Sequence, residues 1–234
     1  MYKQLAKYYD IIYSWKDYAM EAEKVNQLIE DYKKSGGNEL LDIACGTGEH
    51  DKFLKDYYKV TGLDLSENML AIARKKNKKI TYVKGNMKSF NLHKQFDVVV
   101  CLFSSIGHLL TYENLNKAAR CFSRHLKQDG VLIIEPFVSP KVFTTGTPHS
   151  LYIDEPNLKL VRMNVSKRKN GIAYLDFHFL IGDKKDVKYY IDKEKLALYE
   201  EAKVLQIMNK NGFKSKFTNN GLMRNRGLFI GVKK

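Results

Sequence analysis

The run Leu40-Leu41-Asp42-Ile43-Ala44-Cys45-Gly46-Thr47-Gly48 constrains this chain more than any other stretch. Apolar Leu40, Leu41 and Ile43 surround one carboxylate and lead straight into a turn that holds Gly46 and Gly48. Such a run reads as a buried parallel strand that stops where something must approach its backbone. The two glycines supply dihedrals that other residues resist. The third glycine of the dinucleotide fingerprint is absent, and Asp51 stands in its place. A second apolar run, Val60-Thr61-Gly62-Leu63, ends in Asp64, twenty residues after Ala44. That spacing puts a carboxylate at the tip of the neighbouring strand, where it can accept both hydroxyls of a ribose. A tight turn followed by an unrelated acidic helix cap is the bland alternative, and it leaves the register of the two features unexplained. Together they predict a nucleoside-binding crevice at the edge of an α/β sheet.

The pairing of Leu41-Asp42-Ile43-Ala44-Cys45-Gly46-Thr47-Gly48 with Gly62-Leu63-Asp64-Leu65-Ser66 resembles class I S-adenosylmethionine-dependent methyltransferases. The resemblance implies an α/β fold: a Rossmann-like, seven-stranded, mostly parallel sheet flanked by helices. S-adenosyl-L-methionine would lie across its strand tips, and this cofactor has no pyrophosphate that demands the full glycine pattern. Carried over to matching positions, Ala44, Cys45, Gly46 and Gly48 form the loop beside the cofactor, and Asp64 takes the ribose. Leu65 and Met87 sandwich the adenine, while Asn86 replaces the aspartate more usual at the adenine amino group. Leu102 closes the wall at the end of the fourth strand.

A length of 234 residues suits one domain with an embellishment. The expected division is a helical lid over residues 1–37, a cofactor-binding core over 38–136, an antiparallel insertion over 137–191, and a closing helix with strands over 192–234. Three cysteines without metal-like spacing point to a reducing compartment, and no metal site is expected. No apolar segment follows Met1, and the uncharged run over 98–112 is too short to span a bilayer, so a cytoplasmic location is expected. Forty basic residues against twenty-six acidic ones leave a formal charge of +14. Lysines such as Lys75, Lys76, Lys78 and Lys79 are spread over helical faces without an arginine-rich tract or zinc knuckle. This pattern favours solvated faces over a nucleic-acid surface, and it suits an anionic small molecule.

Within the core, residues 96–102 form the most hydrophobic strand and are expected at the centre of the sheet. Helices are predicted over residues 51–56, 66–76, 113–126 and 195–211. The third stops at Gln128-Asp129-Gly130 before strand five, and the last stops at Gly212. The insertion, between strand five and the last helix, shows alternating strands with hairpin turns at 167–171 and 182–186.

The N-terminal segment predicts helix over residues 2–33 and is unusually aromatic. Leu5-Ala6-Lys7-Tyr8-Tyr9-Asp10, Lys16-Asp17-Tyr18, Ser104-Ser105-Ile106-Gly107-His108 and Gly227-Leu228-Phe229-Ile230-Gly231 together resemble N,N-dimethyltransferases that act on TDP-linked amino sugars. Phe137 departs from that subgroup, where tryptophan usually follows Glu-Pro. The resemblance implies that Tyr9 and Tyr18 cover the cofactor, and that Tyr2, Tyr13, Ser105 and His108 orient the acceptor. It also implies that His178 and Arg226 contact the substrate, Arg226 at a nucleotide diphosphate, and that the insertion joins subunits into a homodimer. His108 is the right residue type to take a proton from an amine. His50, His93, His125 and His149 read as surface or loop residues. No Asn/Asp-Pro-Pro-Tyr/Phe turn follows the fourth strand, which argues against nucleobase or glutamine amides as acceptors. Another small-molecule amine or hydroxyl remains the alternative, and RNA is favoured only by the charge.

Overall fold

The strand β4 (Phe96–Cys101) is buried at every position, the pattern of a strand covered on both faces. The computed structural model describes residues 5–234. Around β4 lie β1 (Glu39–Ile43), β2 (Lys59–Asp64), β3 (Thr81–Lys84), β5 (Leu126–Ile134), β11 (Phe213–Thr218) and β12 (Leu228–Lys233). They form a seven-stranded sheet in the order β11-β12-β5-β4-β1-β2-β3. β1 pairs in parallel with both β2 and β4, while β12 runs antiparallel to β5 and β11. The expected Rossmann-like, mostly parallel sheet is therefore present.

Helices α1 (Tyr9–Ile12), α2 (Tyr18–Tyr32), α3 (Asp51–Leu54), α4 (Glu67–Lys76), α5 (Tyr112–His125) and α6 (Glu201–Lys210) complete the layers. Side-chain capping fixes three of their starts: Asp17 accepts from Met20 N, Ser66 from Met69 N, and Thr111 from Asn114 N. Leu115, Ala118, Ala119 and Phe122 of α5 are all buried, and several of these lie three or four residues apart, on the apolar stripe such a helix presents to a sheet.

Three boundaries differ from the sequence reading. Residues 6–32 form a short 3₁₀ turn, α1 and α2, because Asp17 ends the break by capping a new helix. Gln128-Asp129-Gly130 lies within β5 as a register shift, with Phe96 opposite Leu126 and Val98 opposite Val131. Lys195, Leu196 and Ala197 belong to a strand, since they pair with Tyr174, Ala173 and Ile172. Local helix propensity there loses to a long antiparallel ladder.

The insertion is a second sheet, β10-β9-β7-β6, with β6 (Pro148–Glu155), β7 (Leu158–Val165), β9 (Ile172–Asp183) and β10 (Val187–Ala197), and β8 (Lys167–Lys169) pairs with β9. Its inner face carries Leu160, Leu175, Phe177, Phe179, Ile181 and Leu196, which pack on Leu5, Tyr8 and Ile12. The insertion is thus the wall against which the N-terminal segment is laid.

Asp97 anchors the far end of the parallel strands. Its fully buried carboxylate accepts from Gly37 N, Glu39 N and Lys127 Nζ, each within 3.1 Å. Burial pushes its pKa up, but the Lys127 ammonium and the Glu39 amide outweigh that and hold it below 3.8. Its stabilisation is therefore complete above the unfolded aspartate pKa and is lost as pH falls through the lower folded value. Asp97→Ala should cost about 1.5–3 kcal/mol, the range for hydrogen bonds to a charged group. Urea denaturation at neutral pH measures that loss, and the gap between variant and wild type should close as the pH is taken into the acid range.

Candidate active site

The parallel strands end beside a cavity of about 990 Å³. Its lining includes Ala44, Gly46, Asp64, Leu65, Asn86 and Met87 from the strand tips, with Ser105 and His108 beyond β4 and Tyr9 from the lid. These nine of the expected site residues are brought together from segments distant in the chain.

Backbone geometry at the tips explains why. Ala44, Gly46 and Gly48 all have positive φ, at 60°, 58° and 71°. Only glycine adopts that region without cost, so Ala44 is strained by an amount on the order of 1–3 kcal/mol. A Cβ on Gly48 would meet the Tyr82 hydroxyl at 2.4 Å, so the turn also needs the space. Asp64 holds the loop in place, with Oδ2 accepting from Gly46 N at 2.9 Å and Oδ1 from Ser66 N at 2.7 Å. The Leu65 amide also reaches this carboxylate, which has about four acceptor sites and so keeps capacity for a further donor from the cavity it lines. Asn86 Oδ1 accepts from Lys88 N at 3.0 Å, which fixes the side chain without exhausting it. Leu65 is 64% exposed, an apolar surface left open beside the Asp64 carboxylate. Asp51, in the place of the missing glycine, is fully buried near Asp42; burial, then Asp51, raises the Asp42 pKa well above the carboxylate range.

At the end of β4 the chain turns through Phe103 and Ser104, both with positive φ, into a 3₁₀ helix over Ser105–Leu109. That strained turn presents Ser105 and His108 to the cavity. The imidazole is open to the cavity, and the desolvating protein around it pushes its pKa below 6.5, with the nearby Asp192 pulling it back up. It therefore favours the neutral form that accepts a proton.

The lid is tied down by groups that the sequence reading did not pair. Glu21, buried in α2, accepts from Lys16 Nζ at 2.5 Å and bonds His50 Nε2 at 2.8 Å. The Lys16 ammonium also lies 4.2 Å from the centre of the Phe103 ring. Asp10 accepts from Thr47 Oγ1 and from Lys76. His50 is thus a buried strut rather than a surface residue. His125 is buried too, bonded to the Leu92 amide and the Cys121 carbonyl. Tyr18 stacks edge-on with His50. With Tyr9, Cys45, Leu102 and Phe103 it bounds a small pocket of about 30 Å³, continuous in its lining with the larger cavity through Ala44, Gly46 and Ser105.

Gly48 packs on Tyr82 and Asn77 without lining either pocket, three further expected site residues stand elsewhere, and Tyr2 lies outside the described residues. Tyr13 is behind Tyr9, with its ring edge-on to Phe103 and its hydroxyl accepting from Arg162 at 3.4 Å. His178 is exposed on the outer face of the insertion, stacked on Tyr189 and bonded to its hydroxyl. It does not line the cavity, because the register of β9 turns Phe177 and Phe179 inward instead. Arg226 is a largely buried arginine: it donates to Ser104 Oγ at 2.7 Å, lies 3.9 Å from buried Glu135, and rests against Phe103 and Phe137.

Known proteins bear on this geometry. Residues 40–130 match the methyltransferase domain family. The dTDP-3-amino-3,4,6-trideoxy-alpha-D-glucopyranose N,N-dimethyltransferase of Streptomyces venezuelae is 34% identical over 97% of each chain. This chain belongs to that methyltransferase family. The crystal structure of Streptomyces venezuelae DesVI superposes with a TM-score of 0.91 at 33% identity over 98% of each chain. The S-adenosylmethionine-bound structure of CalS10, an amino pentose methyltransferase from Micromonospora echinaspora, gives 0.87 at 27% identity over 100% of this chain and 98% of its own. As a family member, this methyltransferase is an S-adenosylmethionine-dependent enzyme.

The Arg226 guanidinium carries a structural load in this methyltransferase. Glu135 Oε2 accepts from Phe103 N at 2.7 Å, so Arg226 and Glu135 together brace the strained turn that presents Ser105 and His108. Burial raises the Glu135 pKa, and Arg226 is the chief group lowering it. Arg226→Ala should therefore cost about 3–5 kcal/mol, as for a buried ion pair broken from one side. Arg226→Lys should lose less, and urea denaturation of both variants checks the order.

Proposed function

We propose that this methyltransferase N-methylates the amine of a nucleotide-linked amino sugar. The observation that carries the reading is one cavity running from the Asp64 carboxylate, past Ala44 and Gly46, to His108 and Ser105. S-adenosylmethionine fits this lining: Asp64 retains acceptor capacity for a ribose, Asn86 stands at the adenine end, and Leu65 offers an apolar surface to the ring. When bound, the cofactor supplies an electrophilic methyl group on sulfur, an activated leaving group that needs no activation by the protein.

The chain's own residues then have three tasks. Tyr9 and Tyr18 close over the small pocket and exclude water from it. Ser105 and His108 orient the acceptor, and neutral His108 takes the proton whose departure exposes the amine lone pair. Tyr13, kept as a neutral phenol by burial, backs Tyr9 rather than lining the cavity itself. Arg226 is committed to Ser104 and Glu135, so its part in this reading is to hold the β4 turn that presents Ser105 and His108. The reaction takes place in a reducing, cytoplasmic setting compatible with three free cysteines. No helix among the described residues is long and apolar enough to cross a membrane.

A homodimer is part of the same reading. Paired outer-face residues of the insertion form the rows Tyr152-Val161-Leu180-Tyr189 and Ser150-Met163-His178-Ile191. Tyr152, Met163, Leu180, Tyr189 and Ile191 are exposed. Neither row holds a lysine, arginine or carboxylate in a chain of charge +14, so two copies can meet here without repulsion. Sedimentation velocity should show a dimer at micromolar concentration, and Leu180→Lys should shift it to monomer. A wild-type monomer would overturn this part of the proposal.

The main reading is tested by calorimetry with S-adenosylhomocysteine and by turnover on a panel of TDP-linked amino sugars. Nanomolar-to-micromolar cofactor binding with methylated sugar product is expected, and binding without turnover on any amino sugar would point to a different small-molecule acceptor. His108→Asn should lose about tenfold in kcat, less than the hundredfold or more of an obligatory general base. Its residual rate should still rise with pH as the substrate amine deprotonates.

A further inference from the structure

The acceptor end of the cavity contains a carboxylate that neither the motifs nor the reaction scheme has used. Asp192 lies on β10, on the inner face of the insertion, opposite Phe177 of β9. It is 7% exposed, and it lines the same cavity as Tyr9, Ser105 and His108. β10 packs directly against the 3₁₀ helix that carries His108. The surrounding inner face is largely apolar, with Phe177, Phe179, Ile181 and Leu196, and it also carries Arg162, whose guanidinium lies 4.8 Å from the centre of the Phe177 ring. Two residues further along, Glu194 shares the inner face but acts on Tyr13 instead. Asp64, the other carboxylate lining the cavity, is held at the strand tips by the Gly46 and Ser66 amides. Asp192 is therefore the lining carboxylate at the His108 end.

We infer that Asp192 receives the acceptor as an ammonium ion beside His108 and is the residue that makes this site choose an amine over a hydroxyl. The inference rests on the amino-sugar reading above and deepens it. An amine near neutral pH arrives protonated, and a buried carboxylate binds that form through a charge-assisted hydrogen bond. The ammonium then gives one proton to the His108 imidazole, the N–H bond breaks, and its electron pair becomes the nucleophile. Asp192 is left facing an imidazolium, which it stabilises in turn; its raising effect on the His108 pKa has the sign this step requires. Transfer of the methyl group makes the nitrogen cationic again, so the same carboxylate holds the product for a second round.

The test compares two ligands on the intact enzyme saturated with S-adenosylhomocysteine: a TDP-linked amino sugar and the same nucleotide sugar with hydroxyl in place of the amine. Wild type should bind the amine tighter by roughly tenfold to a hundredfold, the worth of one charge-assisted hydrogen bond. Asp192→Asn should lose that preference by weakening the amine alone, with the hydroxyl compound and S-adenosylhomocysteine bound as before. Asp192→Glu should recover part of the preference. A preference that survives in Asp192→Asn, or an equal loss for both sugars, would overturn the role of Asp192. Failure of wild type to bind either sugar, with S-adenosylhomocysteine still bound, would instead overturn the amino-sugar reading itself.

Discussion

Everything in this site depends on β1 being hydrogen-bonded in parallel to β2 on one side and to β4 on the other. Connections leave such a strand toward opposite faces of the sheet, and a crevice opens beyond its carboxyl end. The glycine turn after β1, the Asp64 carboxylate after β2 and the strained turn after β4 all open into that crevice. Positive φ at Ala44, Phe103 and Ser104 concentrates backbone strain where the ligand must be approached closely. The bracing is local to the strain: Asp64 bonds the Gly46 amide, while Glu135 and Arg226 hold the β4 turn.

The lid is held by buried charge rather than by apolar contact alone. Glu21 brings together α2, Lys16 of the preceding loop and His50 of the glycine turn. Burial raises the Glu21 pKa, yet His50 and Lys16 outweigh it and leave the value below normal. Its contribution is then present above the unfolded glutamate pKa and fades as pH falls through the lower folded value. A buried carboxylate with a partner on each oxygen gives the lid one seating, since losing either contact leaves a buried polar group unpaired.

The insertion has two faces with separate duties. Its inner face packs on the N-terminal segment and places Asp192 beside His108, and its outer face is apolar and uncharged at the centre. One antiparallel sheet thus shapes the acceptor end of the cavity on one side and offers a contact surface on the other. The alternation of side chains along β9 and β10 is enough to separate the two roles.

Much of this was legible from the sequence because it is local. Two glycines at fixed spacing, an acid at the next strand tip, a β4 that is apolar except for Asp97 and the capped start of α4 each follow from neighbours in the chain. Two hairpin turns of the insertion, near Gly171 and over 183–186, followed from period-two alternation broken by glycine and aspartate, while the β6–β7 turn at Pro156-Asn157 did not. Other features were decided only by tertiary structure. His50 and Glu21 are twenty-nine residues apart, and Arg226 and Ser104 are separated by 122, so no local pattern signals either contact. His178 sits one residue from Phe177, and only the register of β9 against β7 and β10 turns the histidine outward and the phenylalanine inward. The same register turns Asp192 inward, toward His108. A strand's sequence sets which side chains share a face, but which face looks into the site is settled by the partners it pairs with.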